Sequence, residues 1–187
     1  MSNQLPTDYQ SFIHKSRYAR WQEGTGNRES WSETVTRFMD NIVIPKTGDD
    51  TYVRDLEQAI LSLDVMPSMR SLMTAGPAAS RDNTSMYNCS YLAVNNIKAF
   101  DQAMFILLCG TGVGFSVERQ YVSKLPEVPE KLFKSDTTIV VKDSKEGWAK
   151  SLRQLIALLY SGEVPQWDVS KVRPAGARLK TFGGRAS

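Results

Sequence analysis

The sequence is poor in the residues that build several common kinds of site. Its 187 residues include one histidine and two cysteines. A structural zinc site takes four Cys or His ligands, and a disulfide-rich scaffold needs a larger set of cysteines. The composition therefore predicts that this chain holds no metal ion and has no disulfide framework.

Long apolar runs are also missing. The longest, Met104–Cys109 and Leu155–Tyr160, are six residues each, whereas a helix that crosses a bilayer needs about 20. Residues 1–20 lack the apolar core of a signal peptide. We therefore expect a protein that does not associate with membranes and that stays in the reducing environment of the cytoplasm.

The charge is nearly balanced, with 23 basic and 20 acidic residues and a formal net charge of +3. This is far from the basic composition of DNA-binding domains, and we expect no direct nucleic-acid binding. Residues 171–187 differ, because they contain five basic residues, three glycines and no acidic residue. Such a segment suits an anionic ligand such as a phosphate, but a solvated basic tail fits the composition equally well.

Three segments have the apolar spacing of an amphipathic helix: Trp31–Ile42, Tyr52–Leu63 and Trp148–Leu159. Ser30 and Glu33 have the spacing of a capping box and predict where the first of these helices begins.

Three shorter segments are rich in β-branched and aromatic residues and predict strands: Tyr91–Val94, Val113–Val117 and Thr137–Val141. Phe100–Cys109 would be the crossover helix between the first two strands, and Pro165 is interpreted as a stop signal. Helices come first, and strands and helices then alternate. This order favours an α/β architecture with parallel strands.

Few residues stand out as carriers of chemistry. Cys89 lies at the predicted start of a strand, but a lone cysteine is more often a small buried residue than a reactive thiol. Cys109 has the position of a buried helix end. His14 has no evident partner in the sequence and is predicted to be a surface or packing residue.

A glycine-rich stretch runs from Gly110 to Gly114. It matches neither the dinucleotide-binding fingerprint nor a Walker A loop, because their required glycines and lysine are absent. Backbone without Cβ atoms can approach a ligand or another segment closely. A simple tight turn from helix to strand explains the stretch equally well.

Several blocks, taken in order, resemble the N-terminal part of class II, adenosylcobalamin-dependent ribonucleotide reductases, especially the monomeric ribonucleoside-triphosphate reductases and their phage relatives. The blocks are Tyr18–Trp21 with Glu29–Arg37, Met66–Gly76, Asn88–Cys89, Gly110–Arg119, Lys145–Trp148 with Val172–Ala177, and Phe182–Ser187. They extend over nearly the whole chain.

The resemblance implies an α/β fold in which N-terminal helices precede part of a ten-stranded α/β barrel. Residues 1–75 would form a mainly helical region. Residues 76–187 would form the first part of the catalytic barrel and end in the specificity-loop region.

The resemblance also implies roles for particular residues. Cys89 would be one of two cysteines that reduce the substrate ribose. The other expected substrate contacts are Ser68, Ser71, Asn88, Gly110, Thr111 and Gly112. The expected effector-facing residues of the specificity loop are Arg173, Arg178 and Arg185.

The partners implied by the family are a ribonucleotide substrate, a deoxynucleotide effector and a thioredoxin-like or other dithiol reductant. The thiyl-radical cysteine, the second reducing cysteine and most contacts to adenosylcobalamin are expected in a complementary C-terminal reductase portion, so this chain is expected to be inactive alone. Two alternatives are a non-catalytic regulatory module that binds deoxynucleotides and a structural fragment whose cysteines are buried and inert.

Overall fold

The computed structural model describes residues 5–47, 50–179 and 185–186. They form two compact units. The described residues of Met1–Tyr87 and Arg178–Gly184 make up the first unit, and those of Asn88–Ala177 and Arg185–Ser187 make up the second. The domain boundary between residues 75 and 76 stays a prediction. Within the described ranges, no helix combines the length and apolar character needed to cross a membrane.

The first unit is mainly helical. Its α-helices are α1 (Asp8–Ile13), α2 (Trp31–Phe38), α3 (Ile44–Thr47), α4 (Asp50–Leu61), α5 (Met69–Thr74) and α6 (Pro77–Arg81). A π-helical turn follows α1 at His14–Tyr18, another joins α2 to α3 at Met39–Val43, and a 3₁₀ turn occupies Asn83–Met86. A short antiparallel hairpin pairs β1 (Trp21–Gln22) with β2 (Asn27–Arg28).

The predicted capping box starts α2. The Ser30 hydroxyl accepts a hydrogen bond from the Glu33 amide at 3.3 Å, and the Glu33 carboxylate accepts one from the Ser30 amide at 2.7 Å. These bonds satisfy amide groups that have no partner within the helix. The helices predicted over Trp31–Ile42 and Tyr52–Leu63 are both confirmed, although the end of the first is a π-helical turn. Their apolar faces form a core with a contribution from α5; its buried members are Trp31, Val35, Phe38, Met39, Val43, Ile60, Leu72 and Ala75.

The second unit contains two strand–helix–strand segments in succession. Its elements are β3 (Cys89–Ala93), α7 (Lys98–Leu108), β4 (Gly112–Ser116), α8 (Arg119–Val122), β5 (Phe133–Val140), α9 (Lys145–Tyr160) and β6 (Glu163–Asp168). Strand β3 pairs with β4 and β5 pairs with β6, both in parallel. The three predicted strands, the crossover helix α7 and the helix at Trp148–Leu159 are therefore confirmed, with ends shifted by a few residues.

The sequence analysis does not predict β6, because it interprets Pro165 as a signal that ends the preceding helix. Pro165 lies inside the strand, where the ladder with β5 has an irregularity between Lys134 and Thr138. A proline has no amide hydrogen to donate, and an interruption of the ladder is one of the places where a strand tolerates it.

A buried polar network lies in the first unit. His14 is 4% exposed, and its Nε2 is 2.8 Å from the Thr34 hydroxyl, which in turn donates to Glu29 at 3.1 Å. The expectation that His14 has no partner was wrong, because the partner is 20 residues away on α2. Its predicted packing role is confirmed by an edge contact with the Trp31 ring.

The burial of His14 makes stability depend on pH. Burial lowers its pKa from the ordinary value of 6.5, so below pH 6.5 the unfolded chain takes up a proton that the folded chain resists. We therefore expect the free energy of unfolding to fall as the pH is lowered below 6.5. Urea unfolding of the wild type and of His14→Gln between pH 7.5 and 5.5 measures this effect, and the variant should have a flatter profile. Parallel profiles would contradict the prediction.

Candidate functional site

The parallel pair β3–β4 presents Cys89 beside bare backbone. Cys89 is exposed at the first position of β3, and its partner on β4 is Gly112. Two residues further on, Tyr91 is opposite Gly114. Side chains two residues apart on a strand point to the same face, so the thiol and the Tyr91 phenol share a face, and the residue opposite each of them on β4 is a glycine. We call this the Cys89 face.

The backbone next to the thiol is tightly packed. The Gly112 amide donates to the Asn88 carbonyl at 2.8 Å. A Cβ atom on Gly112 would lie 3.4 Å from that oxygen, closer than side chains are usually found. Glycine at this position therefore lets β4 run close to β3 at the point where Cys89 emerges.

The glycine-rich stretch is only partly a turn. Gly110 has a φ of +84°, a conformation that glycine adopts readily, and it ends α7 together with Thr111. Gly112 and Gly114 are already in β4. Of the two explanations that the sequence leaves open, the tight turn therefore accounts for Gly110 and Thr111 only. Thr111 is buried, with 2% of the whole residue exposed, and its expected substrate contact stays a prediction.

The two predicted serine contacts lie in the first unit. Ser68 is the N-terminal cap of α5, and its hydroxyl accepts a hydrogen bond from the Ser71 amide at 3.4 Å. Ser68 is exposed and Ser71 is half-buried. Arg37 donates to the carbonyls of Leu72 and Ala75 at 2.9 and 2.8 Å and holds the C-terminal end of the same helix. Substrate contacts from Ser68 and Ser71 stay a prediction.

The cysteines differ in their surroundings. Cys89 is exposed, so it is not the small buried residue that a lone cysteine usually is. Cys109 is 7% exposed and lies at the end of α7, as predicted. Over the residues that the structure describes, no three His, Cys, Asp or Glu side chains come together in a group that could hold a metal ion.

Each predicted effector-facing arginine has a partner in its own unit. Arg173 donates to the Asp143 carboxylate at 2.8 Å, Arg185 donates to the Gly176 carbonyl at 2.9 Å, and exposed Arg178 pairs with Glu23. A nucleotide phosphate would have to compete with these partners, and exposed ion pairs contribute little stability. Effector binding by the three arginines stays a prediction.

Part of the predicted specificity loop lies outside the described residues. Of the block at residues 182–187, the structure describes Arg185 and Ala186; Phe182, Gly183, Gly184 and Ser187 lie outside the described residues. The described part approaches the chain just before it, because Ala186 exchanges backbone hydrogen bonds of 2.8 Å with Gly176 and Ala177.

Sequence reasoning missed Tyr91 on the Cys89 face. A hydrogen bond with Tyr91, followed by the charge of that phenol when ionised, raises the pKa of Tyr121. Tyr121 belongs to α8, so the contact links β3 to the helix after β4. The two-residue spacing from Cys89 was the available signal, because it places both side chains on one face of a strand.

Comparison with known proteins supports the resemblance. The chain is 29% identical over 87% of its length to a putative adenosylcobalamin-dependent ribonucleoside-triphosphate reductase of Mycobacterium phage D29, of which it covers 28%. It is 27% identical over 93% of its length to the adenosylcobalamin-dependent ribonucleoside-triphosphate reductase of Lactobacillus delbrueckii subsp. bulgaricus, of which it covers 33%. No family model matches the chain.

A solved structure supports the fold. Over 95% of this chain and 34% of the other, the structure superposes on the crystal structure of a B12-dependent, class II ribonucleotide reductase with a TM-score of 0.79 and 22% identity. The predicted resemblance and the mixed helix and strand fold are confirmed. The chain spans about a third of the length of these proteins.

Proposed function

We propose that this chain forms the N-terminal portion of a ribonucleotide reductase that converts ribonucleotides to deoxyribonucleotides by thiyl-radical chemistry. One observation carries the proposal: the exposed thiol of Cys89 stands at the start of β3 beside the bare backbone of Gly112. A sugar could approach the sulfur over this backbone without meeting a side chain from β4. The sequence similarity to named reductases adds independent support.

In this proposal Cys89 acts as one half of a redox pair. Two thiols supply two electrons and two hydrogen atoms. The C2′–OH bond of the ribose breaks, a C2′–H bond forms, water leaves, and the two sulfurs join as a disulfide. An external dithiol of the thioredoxin type then reduces the disulfide and restores both thiols. The exposure of Cys89 fits a sulfur that must meet both the substrate and the reductant.

The partner cysteine and the remaining strands would come from a complementary portion. The two parallel pairs, β3–β4 and β5–β6, are each two strands wide, and small isolated sheets leave edge groups without ladder partners. A second portion could add its strands at these edges and complete a ten-stranded α/β barrel. This agrees with the chain spanning about a third of the length of its relatives.

The other roles follow from the resemblance. Substrate contacts are proposed for the residues around the turn and for α5: Ser68, Ser71, Asn88, Gly110, Thr111 and Gly112. A deoxynucleotide effector is proposed to engage Arg173, Arg178 and Arg185 in place of their present partners. Such a relay requires that effector and substrate both bias one mobile element.

Adenosylcobalamin is proposed to be held mostly by the complementary portion. The only histidine, His14, is buried and hydrogen-bonded to Thr34, so it is not presented to a cobalt ion. No step assigned to Cys89 passes through the cofactor.

The proposal is tested by adding the missing portion. The chain is mixed with a purified C-terminal reductase portion, adenosylcobalamin, a dithiol and each ribonucleotide, and deoxynucleotide formation is followed by chromatography. We expect cofactor-dependent turnover in the mixture and none with either portion alone. A mixture that stays inactive while this chain alone binds deoxynucleotides tightly would favour the regulatory module instead.

A further inference from the structure

Cys109 is in contact with a lysine amine from another helix. The Nζ atom of Lys145, at the first position of α9, lies 3.1 Å from the Cys109 sulfur at the end of α7. The two residues are 36 positions apart. Neither belongs to the Cys89 face, and the proposed reduction of ribose does not use them.

The contact is held from both sides. The Lys145 ammonium also lies over the Phe105 ring, 5.4 Å from its centroid, which positions it by a cation–π interaction. On the other side, the Cys109 amide donates to the Phe105 carbonyl at 3.0 Å and closes the last turn of α7. Phe105 therefore orients both the amine and the sulfur.

The start of α9 is equally constrained. The Ser144 hydroxyl caps the helix by accepting the Gly147 amide at 3.0 Å. A Cβ atom at Gly147 would be 2.5 Å from the Lys142 carbonyl oxygen, so this turn packs against backbone without room for a side chain. Lys145 lies between these two fixed points, so its backbone is held in place at the start of α9.

A groove borders the two helices that carry the pair, although neither Cys109 nor Lys145 lines it. An open groove of about 660 Å³ runs between α7 and α9. Phe105 and Ile106 line it from α7, and Glu146, the residue after Lys145, lines it from α9. Cys109 itself is 7% exposed, which excludes a bulky reagent more readily than hydrogen peroxide.

We propose that Cys109 and Lys145 form a reversible covalent link, a sulfenamide, when the protein meets a peroxide. Peroxide first oxidises the thiol to a sulfenic acid and is itself reduced to water. The Lys145 ammonium gives a proton to the solvent, and the amine then attacks the sulfur. An S–N bond forms, the S–O bond breaks, and the departing hydroxide takes a proton from nitrogen and leaves as water. A sulfenic acid condenses with a nearby nitrogen in this way.

The link makes the junction of α7 and α9 sensitive to redox conditions. It joins two helices that are separated by 36 positions in sequence, so it restrains the unfolded chain as a disulfide would. Two equivalents of a thiol reverse it, giving back the Cys109 thiol and the Lys145 amine and releasing a disulfide.

The experiment uses the full chain with Cys89→Ser, so that no disulfide can form within the chain. The protein is treated with graded hydrogen peroxide, digested and analysed by mass spectrometry. We expect one pair of joined peptides containing Cys109 and Lys145, with two hydrogens fewer than their sum. Dithiothreitol should abolish this species.

Two lysine variants make the test specific. Lys145→Arg keeps the positive charge but removes the nucleophilic amine, and the joined peptides should fall below detection. Lys150→Arg, at an exposed position five residues further along α9, should leave the yield unchanged. A cooperative thermal transition before oxidation confirms that each variant is folded. Oxidation of Cys109 to sulfinic acid without joined peptides, or equal yields in both variants, would overturn the proposal. The test does not involve turnover, so it is independent of the proposed reductase function.

Discussion

Replacing Cys89 with serine is expected to abolish multiple-turnover formation of deoxynucleotides when the chain is combined with a complementary reductase portion. Serine is close to cysteine in size and cannot form a disulfide, so the two electrons needed at C2′ have no source on this side of the substrate. The rate should fall by about 10³-fold or more, as when other covalent participants are removed from active sites. The measurement is deoxynucleotide produced per chain with a dithiol in excess.

The second cysteine provides the matched control. Cys109 is buried at the end of α7 and not exposed on β3, so Cys109→Ser should keep turnover within a few-fold of the wild type under reducing conditions. Native alkylation adds a check that needs no partner protein, because Cys89 should react faster than Cys109. If Cys89→Ser still turns over with a dithiol as reductant, Cys89 is not a redox cysteine.

Replacing Arg37 with methionine is expected to destabilise the first unit by about 3–5 kcal/mol. The Arg37 guanidinium donates two hydrogen bonds to Glu29, at 2.8 and 2.9 Å, and two to the carbonyls of Leu72 and Ala75. The Arg37 and Glu29 side chains are only 14% and 8% exposed. Methionine would fill much of the same space but leave a buried carboxylate and two carbonyls without their donor. Urea unfolding measures the loss.

Arg54→Met is the matched control. Arg54 is exposed on α4, and a substitution there should change the free energy of unfolding by no more than about 0.5 kcal/mol. A loss below about 1 kcal/mol in Arg37→Met would show that the buried ion pair is nearly neutral and would contradict the prediction.

The same pair predicts an acid dependence. Burial by itself raises the pKa of Glu29, but the hydrogen bonds from Arg37 and from the Arg20 amide outweigh it and leave the pKa below the ordinary 4.5. The resulting stabilisation is present above pH 4.5 and is lost as the pH falls through the lowered pKa. This part of the acid profile should be missing in Arg37→Met.

Local patterns predicted much of the fold. The capping box of Ser30 and Glu33, the helices α2, α4 and α9, and the crossover helix α7 all formed where spacing and caps placed them, because these features depend on neighbours within a few residues. The parallel pairing of β3 with β4 was also predictable, because two neighbouring strands joined by a helix as long as α7 usually run in the same direction. The failure at β6 has a local cause, because a proline is tolerated where the ladder is irregular.

The sequence by itself thus determined the order of helices and strands, and it indicated Cys89 and the nearby glycines as candidate site residues. Only the tertiary structure decided that the Cys89 thiol is exposed opposite Gly112, that His14 is bonded to Thr34, and that Arg37 holds the carbonyls at the end of α5. The physical reason is distance along the chain. The contacts of Arg37 and the contact of Lys145 with Cys109 join residues that are 8 to 38 positions apart. A local pattern of side chains does not predict contacts over such separations.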